Sequence, residues 1–202
     1  MGDRPARSST ERLFLRLNRF AVPVLRSCVA PVFFSPVAGW ACVVWTRGRR
    51  SGRPRPVPLN YSIVDGGVCC LAGFGRRTHW YLNVLAEPTV TLDLPSRTIH
   101  GVAREVTDPA ERLPRLRAIL RAAGWAGWLF APFPDRLSDE ELLRRAAELP
   151  MIEFRARTAD GVELPIAQTP FDPGGWAWMP IVAGQALLGW LAARLLTAAR
   201  RS

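Results

Sequence analysis

The stretch "RPVPLNYSIVDGGVCCLAGF", Arg55 to Phe74, decides the fold. Its first ten residues, "RPVPLNYSIV", read as a strand that ends at a turn. Asp65-Gly66-Gly67 is a strong hairpin turn signal, and "VCCLAGF" reads as the returning strand. Pro56 and Pro58 lack backbone donors, so they suit an edge or irregular start to the first strand. Upstream, "WACVVWT" (Trp40 to Thr46) is a further short, β-branched strand. Downstream, "RRTHWYLNVLAEP" reads as a short helix stopping before Pro88, and "TVTLDL", the turn "PSR" and "TIHGVAREV" make a second hairpin.

Asp108, followed by Pro109 and Glu111, marks a helix start with Gly124 as its stop; Pro114 is expected to kink the first turn or delay the helix to that point. A second helix start is "SDEE" from Ser138, and "MIEFRARTADGVELPI" alternates as a final strand or hairpin. Strands interrupted by few helices argue for an α+β chain built on a small split β-barrel with helices attached, not a βαβ array. The expected organisation is residues 1–39 as a basic amphipathic helical segment, 40–165 as the barrel, and 166–202 as a linker and an apolar C-terminal helix.

The two ends differ from the middle. Leu13, Leu17, Phe20 and Val24 recur at helical spacing among Arg12, Arg16, Arg19 and Arg26, which fits a helix packed on the body or one lying on a membrane surface. Trp176 to Ala193 hold no charge across eighteen positions, the lower limit for a membrane span. The arginines at the far end oppose the positive-inside tendency, so a docked or interfacial helix is the expectation. The N-terminus has no contiguous apolar run of the signal-peptide kind, so a cytoplasmic location is the expectation, with contact to the inner face of the membrane left open.

At 202 residues and 49% hydrophobic, the chain has material for one core plus appendages. All 27 basic residues are arginines, and the formal net charge is +10, which calls for anionic partners. Cys28, Cys42, Cys69 and Cys70 have no C-x-x-C spacing, and His79 and His100 are the only histidines, so no metal site is expected. The arginines gather at two glycine-containing turns. "TRGRRSGRPRP", Thr46 to Pro56, holds five in eleven residues; "AGFGRRTHW" puts Arg76 and Arg77 between a strand and a helix start. Glycines let main-chain N–H groups approach a phosphate that arginines then grip. A solvated charge cluster is the alternative for such a run. Clustering at turns, with no stacking platform along one face, speaks against nucleic acid.

In the order of these residues the chain resembles the deazaflavin-dependent nitroreductase family, split-barrel oxidoreductases that use coenzyme F420. The pattern T-x-G-R-K-S-G-x-P-R-x-x-P-L is met by Thr46, Gly48, Arg49, Ser51, Gly52, Pro54, Arg55, Pro58 and Leu59, with Arg50 in place of lysine. A Gly-rich turn running into W-Y-x-N-L is met by Ala72 to Val84, and "ERLPRL" is similar to the family's W-P-R-L helix. The resemblance implies that Arg49, Arg50 and Arg55 bind the cofactor's phosphate and acidic tail. It implies that backbone from Ala72 through Gly73, Phe74 and Gly75, with Arg76 or Arg77, completes the phosphate grip. Pro58 and Leu59 would pack near the ring, while Trp80 and Asn83 would fix the second loop. A buried aromatic and a helix-surface amide are the plain alternative for those two.

The implied chemistry is hydride transfer from the deazaflavin C5 to an electron-poor small-molecule acceptor such as a quinone, enone or nitroaromatic. No protein nucleophile is needed. Where tyrosines are expected at the family's substrate site, this chain has Asn60 and "GWAGWLFAPFP". Trp125, Trp128, Phe130 and Phe133 there either wall an apolar substrate pocket or cover a core. Nitroimidazole-type activity is therefore not expected; a lipid-soluble acceptor is. FMN is the alternative cofactor, and a non-catalytic carrier of deazaflavin, flavin or haem is the alternative function on this fold. A homodimer across an exposed sheet face, or a tail covering that face, is open.

Overall fold

A computed structural model describes residues 22–23 and 35–199. The amphipathic N-terminal segment lies almost wholly outside the described residues. Six antiparallel strands close into a barrel: β1 (Ala41–Arg47), β2 (Pro54–Val64), β3 (Gly67–Leu71), β4 (Thr89–Leu94), β5 (Arg97–Glu105) and β6 (Met151–Arg157). The strand order is β3-β2-β1-β4-β5-β6, and β3 pairs with β6 to shut the ring. A two-residue strand, β7 (Glu163–Leu164), continues along β6.

The β2–β3 hairpin forms as the sequence predicts. Val64 pairs with Gly67, leaving Asp65 and Gly66 as a two-residue loop with φ of 51° and 70°. Two successive left-handed residues match the strand twist, and Asp-Gly tolerates them. Alternation splits the vicinal cysteines: Cys70 joins the barrel interior with Cys42, Tyr61, Leu92 and Phe154, while Cys69 joins an outer core with Leu116, Leu120, Leu142 and Met151. Burial pushes the Cys69 thiol up to about 12, and the nearby Glu153 charge adds to this, so the thiol is inert near neutral pH.

Four helices surround or join the barrel: α1 (His79–Ala86), α2 (Pro109–Ala122), α3 (Gly124–Phe130) and α4 (Asp139–Arg145). The fifth, α5 (Trp178–Ala199), follows the linker. The start of α2 is not delayed to Pro114. Asp108 accepts from the Ala110 N–H and Pro109 takes the first helical position, where no donor is needed, so the helix starts there and carries Pro114 inside. Arg112 and Arg115, on either side of that proline, are buried and anchored: Arg112 donates to the Ala146 and Leu149 carbonyls, and Arg115 to Glu153.

Two buried carboxylates tie distant segments to the barrel. Glu153 on β6 accepts from Arg104, Arg115 and Arg155. Burial pushes its carboxyl up, but hydrogen bonds from Arg115 and Arg104 outweigh that and hold it below the usual carboxylate range. Asp172, in the linker, accepts from the Tyr61 hydroxyl at 2.8 Å, from Arg97 at 3.0 Å and from the Thr169 N–H at 2.7 Å. Burial, then the Asp172 charge, pushes the Tyr61 phenol well above its usual range. Ile166 and Trp178 pack on the barrel core, so the linker belongs to the packed body.

Candidate cofactor site

β2 works as two half-strands. Its Tyr61–Val64 half pairs with both β1's flank and β3, whereas Pro54–Asn60 pairs with β1 alone. Tyr61 donates its N–H to the Trp40 carbonyl at 3.3 Å, so by alternation the odd residues 55, 57 and 59 face β1. Pro54, Pro56 and Pro58 therefore turn their donorless nitrogens to an edge that no strand covers among the described residues. This is the edge position that the prolines suggested, blunted against further pairing.

The arginine turn sits at the far end of this half-strand. Gly48 and Arg53 close it, with the Gly48 N–H on the Arg53 carbonyl at 2.9 Å; Ser51 and Gly52 both donate back to Gly48. Gly52 has φ of 64°, which the tight return requires. The turn is braced from α1 by one side chain. Asn83 donates through Nδ2 to Thr46 Oγ1 at 3.1 Å, while its Oδ1 accepts from the Arg49 main-chain N–H at 3.3 Å and from the Arg49 guanidinium at 3.1 Å. Thr46 in turn donates to the Arg55 carbonyl. Thus Thr46, Arg49, Arg55 and Asn83 are one connected unit, while Trp80, one turn earlier on α1, is buried in the barrel core.

Charge availability separates the arginines. Arg49 is engaged by Asn83 and the His79 carbonyl. Arg76 is engaged as well, donating to Glu105 at 3.0 Å and to the Tyr81 hydroxyl at 2.9 Å. The guanidiniums of Arg50, Arg55 and Arg77 are exposed and make no hydrogen bond or ion pair among the described residues. The second turn is held by Gly75 N–H on the Ala72 carbonyl and by Thr78 Oγ1 on the Gly75 carbonyl. At Gly73 an added Cβ would meet nothing within 4 Å, so its main chain faces open space; Phe74 beside it is exposed. Unpaired guanidiniums near open glycine backbone fit a cofactor carrying phosphate and carboxylates.

The remaining residues spread over the barrel's other end. Pro58 and Leu59 are half-buried on β2, Leu59 against the inner core. Asn60 donates to the Trp40 carbonyl at 3.0 Å. Trp125, Trp128 and Phe133 line a pocket of about 560 Å³ with Val37, Leu120 and Arg121. Phe130 packs on the outer core and does not line it. Phe133 has φ of 51° and presents its ring edge-on to Trp128 at 6.4 Å, with the Arg136 guanidinium 4.7 Å from the ring centre. Sequence reasoning missed the Asp172–Tyr61 contact, because no local signal links residues 111 positions apart.

Residues 34–128 match the family model of the F420H(2)-dependent quinone reductases, a span that includes both arginine turns and β1 to β5. Over that span, just under half of the chain, the protein resembles that family. Coenzyme F420 is its cofactor, and its reaction class is oxidoreduction. Among solved structures, it is similar to an F420-H2 dependent reductase, FDR-A, at 23% identity, covering 56% of this chain and 92% of that one, with a TM-score of 0.38. A conserved hypothetical protein of Mycobacterium tuberculosis matches at 15% identity, 78% and 87% coverage, and a TM-score of 0.44. A heme binding protein of Mycobacterium smegmatis matches at 13% identity, 65% and 52% coverage, and a TM-score of 0.42.

Proposed function

We propose that this F420-dependent oxidoreductase reduces an electron-poor, apolar acceptor of the quinone type, working in the cytoplasm against the inner face of the cell membrane. The observation that carries the reading is the set of exposed guanidiniums of Arg50, Arg55 and Arg77, which have no partner among the described residues, around glycine backbone. These would hold the phosphate and glutamate tail, with Arg49 and Asn83 fixing the first turn and Ala72 to Gly75 offering N–H groups. When bound, the cofactor supplies a hydride to the acceptor. The chain's own contribution is position: Pro58 and Leu59 offer an apolar surface on the uncovered edge of β2, with no competing backbone donor from Pro58.

The acceptor is assigned to the Trp125, Trp128 and Phe133 pocket, an apolar slot suited to a flat ring. β1 separates this pocket from the arginine turn, and six residue steps of strand cover roughly 20 Å. A cofactor gripped by its phosphate at the turn must therefore lie along β2 toward Asn60 for donor and acceptor to meet. Asp135, the carboxylate in the pocket lining, is held by Arg121, so the proton for the reduced acceptor comes from solvent.

Fluorescence titration with oxidised F420 tests the cofactor reading, with FMN and haem in parallel. Arg55→Ala or Arg50→Ala is expected to weaken F420 binding at least tenfold, about 1.4 kcal/mol. Unchanged binding in both variants, or tighter binding of FMN or haem, overturns it. Turnover with soluble quinone analogues but not nitroimidazoles then tests the acceptor class.

A further inference from the structure

Helix α5 has 22 residues, about 33 Å at 1.5 Å per residue, and beyond Trp178 its large apolar side chains among the described ones are bare. Met179, Leu187, Leu188 and Trp190 are 55%, 57%, 68% and 52% exposed, and Val182 and Leu191 are exposed too. At 3.6 residues per turn these six directions leave no gap wider than about 120° around the axis. A protein groove or a second helix covers one stripe of roughly 100° or a little more, so it would leave most of this perimeter in water. A lipid phase covers all of it.

Charge selects the kind of lipid. No Asp or Glu stands between Asp172 and Ser202, while Arg194, Arg200 and Arg201 follow the apolar run and the whole molecule carries +10. The Arg194 guanidinium stacks on the Trp190 ring at 4.4 Å, an amphipathic pair suited to the boundary between headgroups and acyl chains. Trp178 packs on the barrel core and Asp172 is locked to Tyr61 and Arg97, so the helix is rooted firmly in the body. No helix among the described residues is long and apolar enough to cross a membrane, which leaves insertion into one leaflet.

We propose that α5 is the element that docks the protein on an anionic bilayer, its apolar perimeter within the leaflet and its terminal arginines among the headgroups. The inference rests on the inner-face membrane reading above and names the segment and the lipid chemistry responsible.

The test is flotation of the full-length protein with vesicles of phosphatidylglycerol and phosphatidylcholine in equal parts, against phosphatidylcholine alone. Wild type is expected to float with the anionic vesicles, with apparent affinity at least tenfold lower for neutral ones. Leu187→Asp with Leu188→Asp, two exposed positions, is expected to abolish flotation while the melting curve and F420 binding stay as in wild type. Flotation of that double variant at wild-type level overturns the role of α5 while the membrane reading stands. A wild type that floats with neither vesicle overturns both. A dimer in sedimentation that the double variant dissolves, without vesicle binding by wild type, overturns the proposal in favour of a second copy as the cover. None of these outcomes depends on the redox reading, which the F420 titration reads separately.

Discussion

Replacing Glu153 by Gln removes the charge that three arginines share. The carboxylate is fully buried, and Arg115, its most buried partner, is 5% exposed. Breaking a buried ion pair from one side costs about 3–5 kcal/mol, because the remaining charge stays desolvated. Here Arg115 keeps Asp65 at 3.2 Å and the Glu111 carbonyl, Arg104 keeps Glu111, and Arg155 keeps the Asp65 carbonyl. The lower end, about 3 kcal/mol, is therefore expected, or a fall in Tm of roughly 6–12 °C for a chain of this size. The sign with pH follows from the depressed folded value. The unfolded carboxyl titrates near 4.5, so the Glu153 contribution is complete above that pH and is lost as pH falls through the lower folded value. The stability gap between wild type and Glu153→Gln, measured by urea unfolding at a series of pH values, should thus be widest near pH 7 and close on acidification below about 4.5. A Tm change under about 2 °C, or a gap that does not narrow from pH 7 to pH 3, would refute the reasoning that this carboxylate is charged and holds the cluster.

Asn83→Ala removes the brace between α1 and the arginine turn; F420 affinity should fall about tenfold or more, by titration, while the barrel loses only about 1–2 kcal/mol. Arg77→Ala should weaken F420 binding more than Arg76→Ala does, since Arg76 is already committed to Glu105 and Tyr81, and equal effects would count against that division. F420 binding should weaken steeply between low and physiological salt, as expected for exposed guanidiniums meeting an anion. Tyr61→Phe takes a donor from the buried Asp172 and should cost about 1.5–3 kcal/mol in urea unfolding, with F420 affinity little changed.

The sequence made the local elements legible wherever a backbone requirement met a residue that satisfies it. Asp65-Gly66 announced the β2–β3 hairpin, Asp108-Pro109 the start of α2, and Ser138 the start of α4, because caps and left-handed turns are short-range chemistry. The family resemblance at both arginine turns was legible for the same reason: Gly48, Gly52, Gly73 and Gly75 are written in the chain as backbone geometry. Long-range partnerships were not. Nothing near Glu153 shows that its arginine comes from α2, 38 positions earlier, and nothing near Tyr61 shows Asp172. Pro114 misled in its effect on α2, because a cap and anchored neighbours set the helix start in its place.

The divided role of β2 would let the proposed cofactor site and the barrel share one strand. Closing the ring needs backbone donors on both edges, and residues 61–64 supply them. A ligand groove needs an edge that no strand claims, and three alternate prolines give one by removing the donors from a single side. The same alternation sends Val57, Leu59 and Tyr61 into the core, so this half-strand stays anchored although its outer edge is uncovered among the described residues. Replacing Pro56 and Pro58 together by Val would restore two donors on that edge. It should raise the tendency to associate through β2, seen as concentration-dependent sedimentation, and obstruct the groove, seen as weaker F420 binding. A double variant that stays monodisperse and binds F420 as wild type does would show that the open edge is not where the cofactor lies.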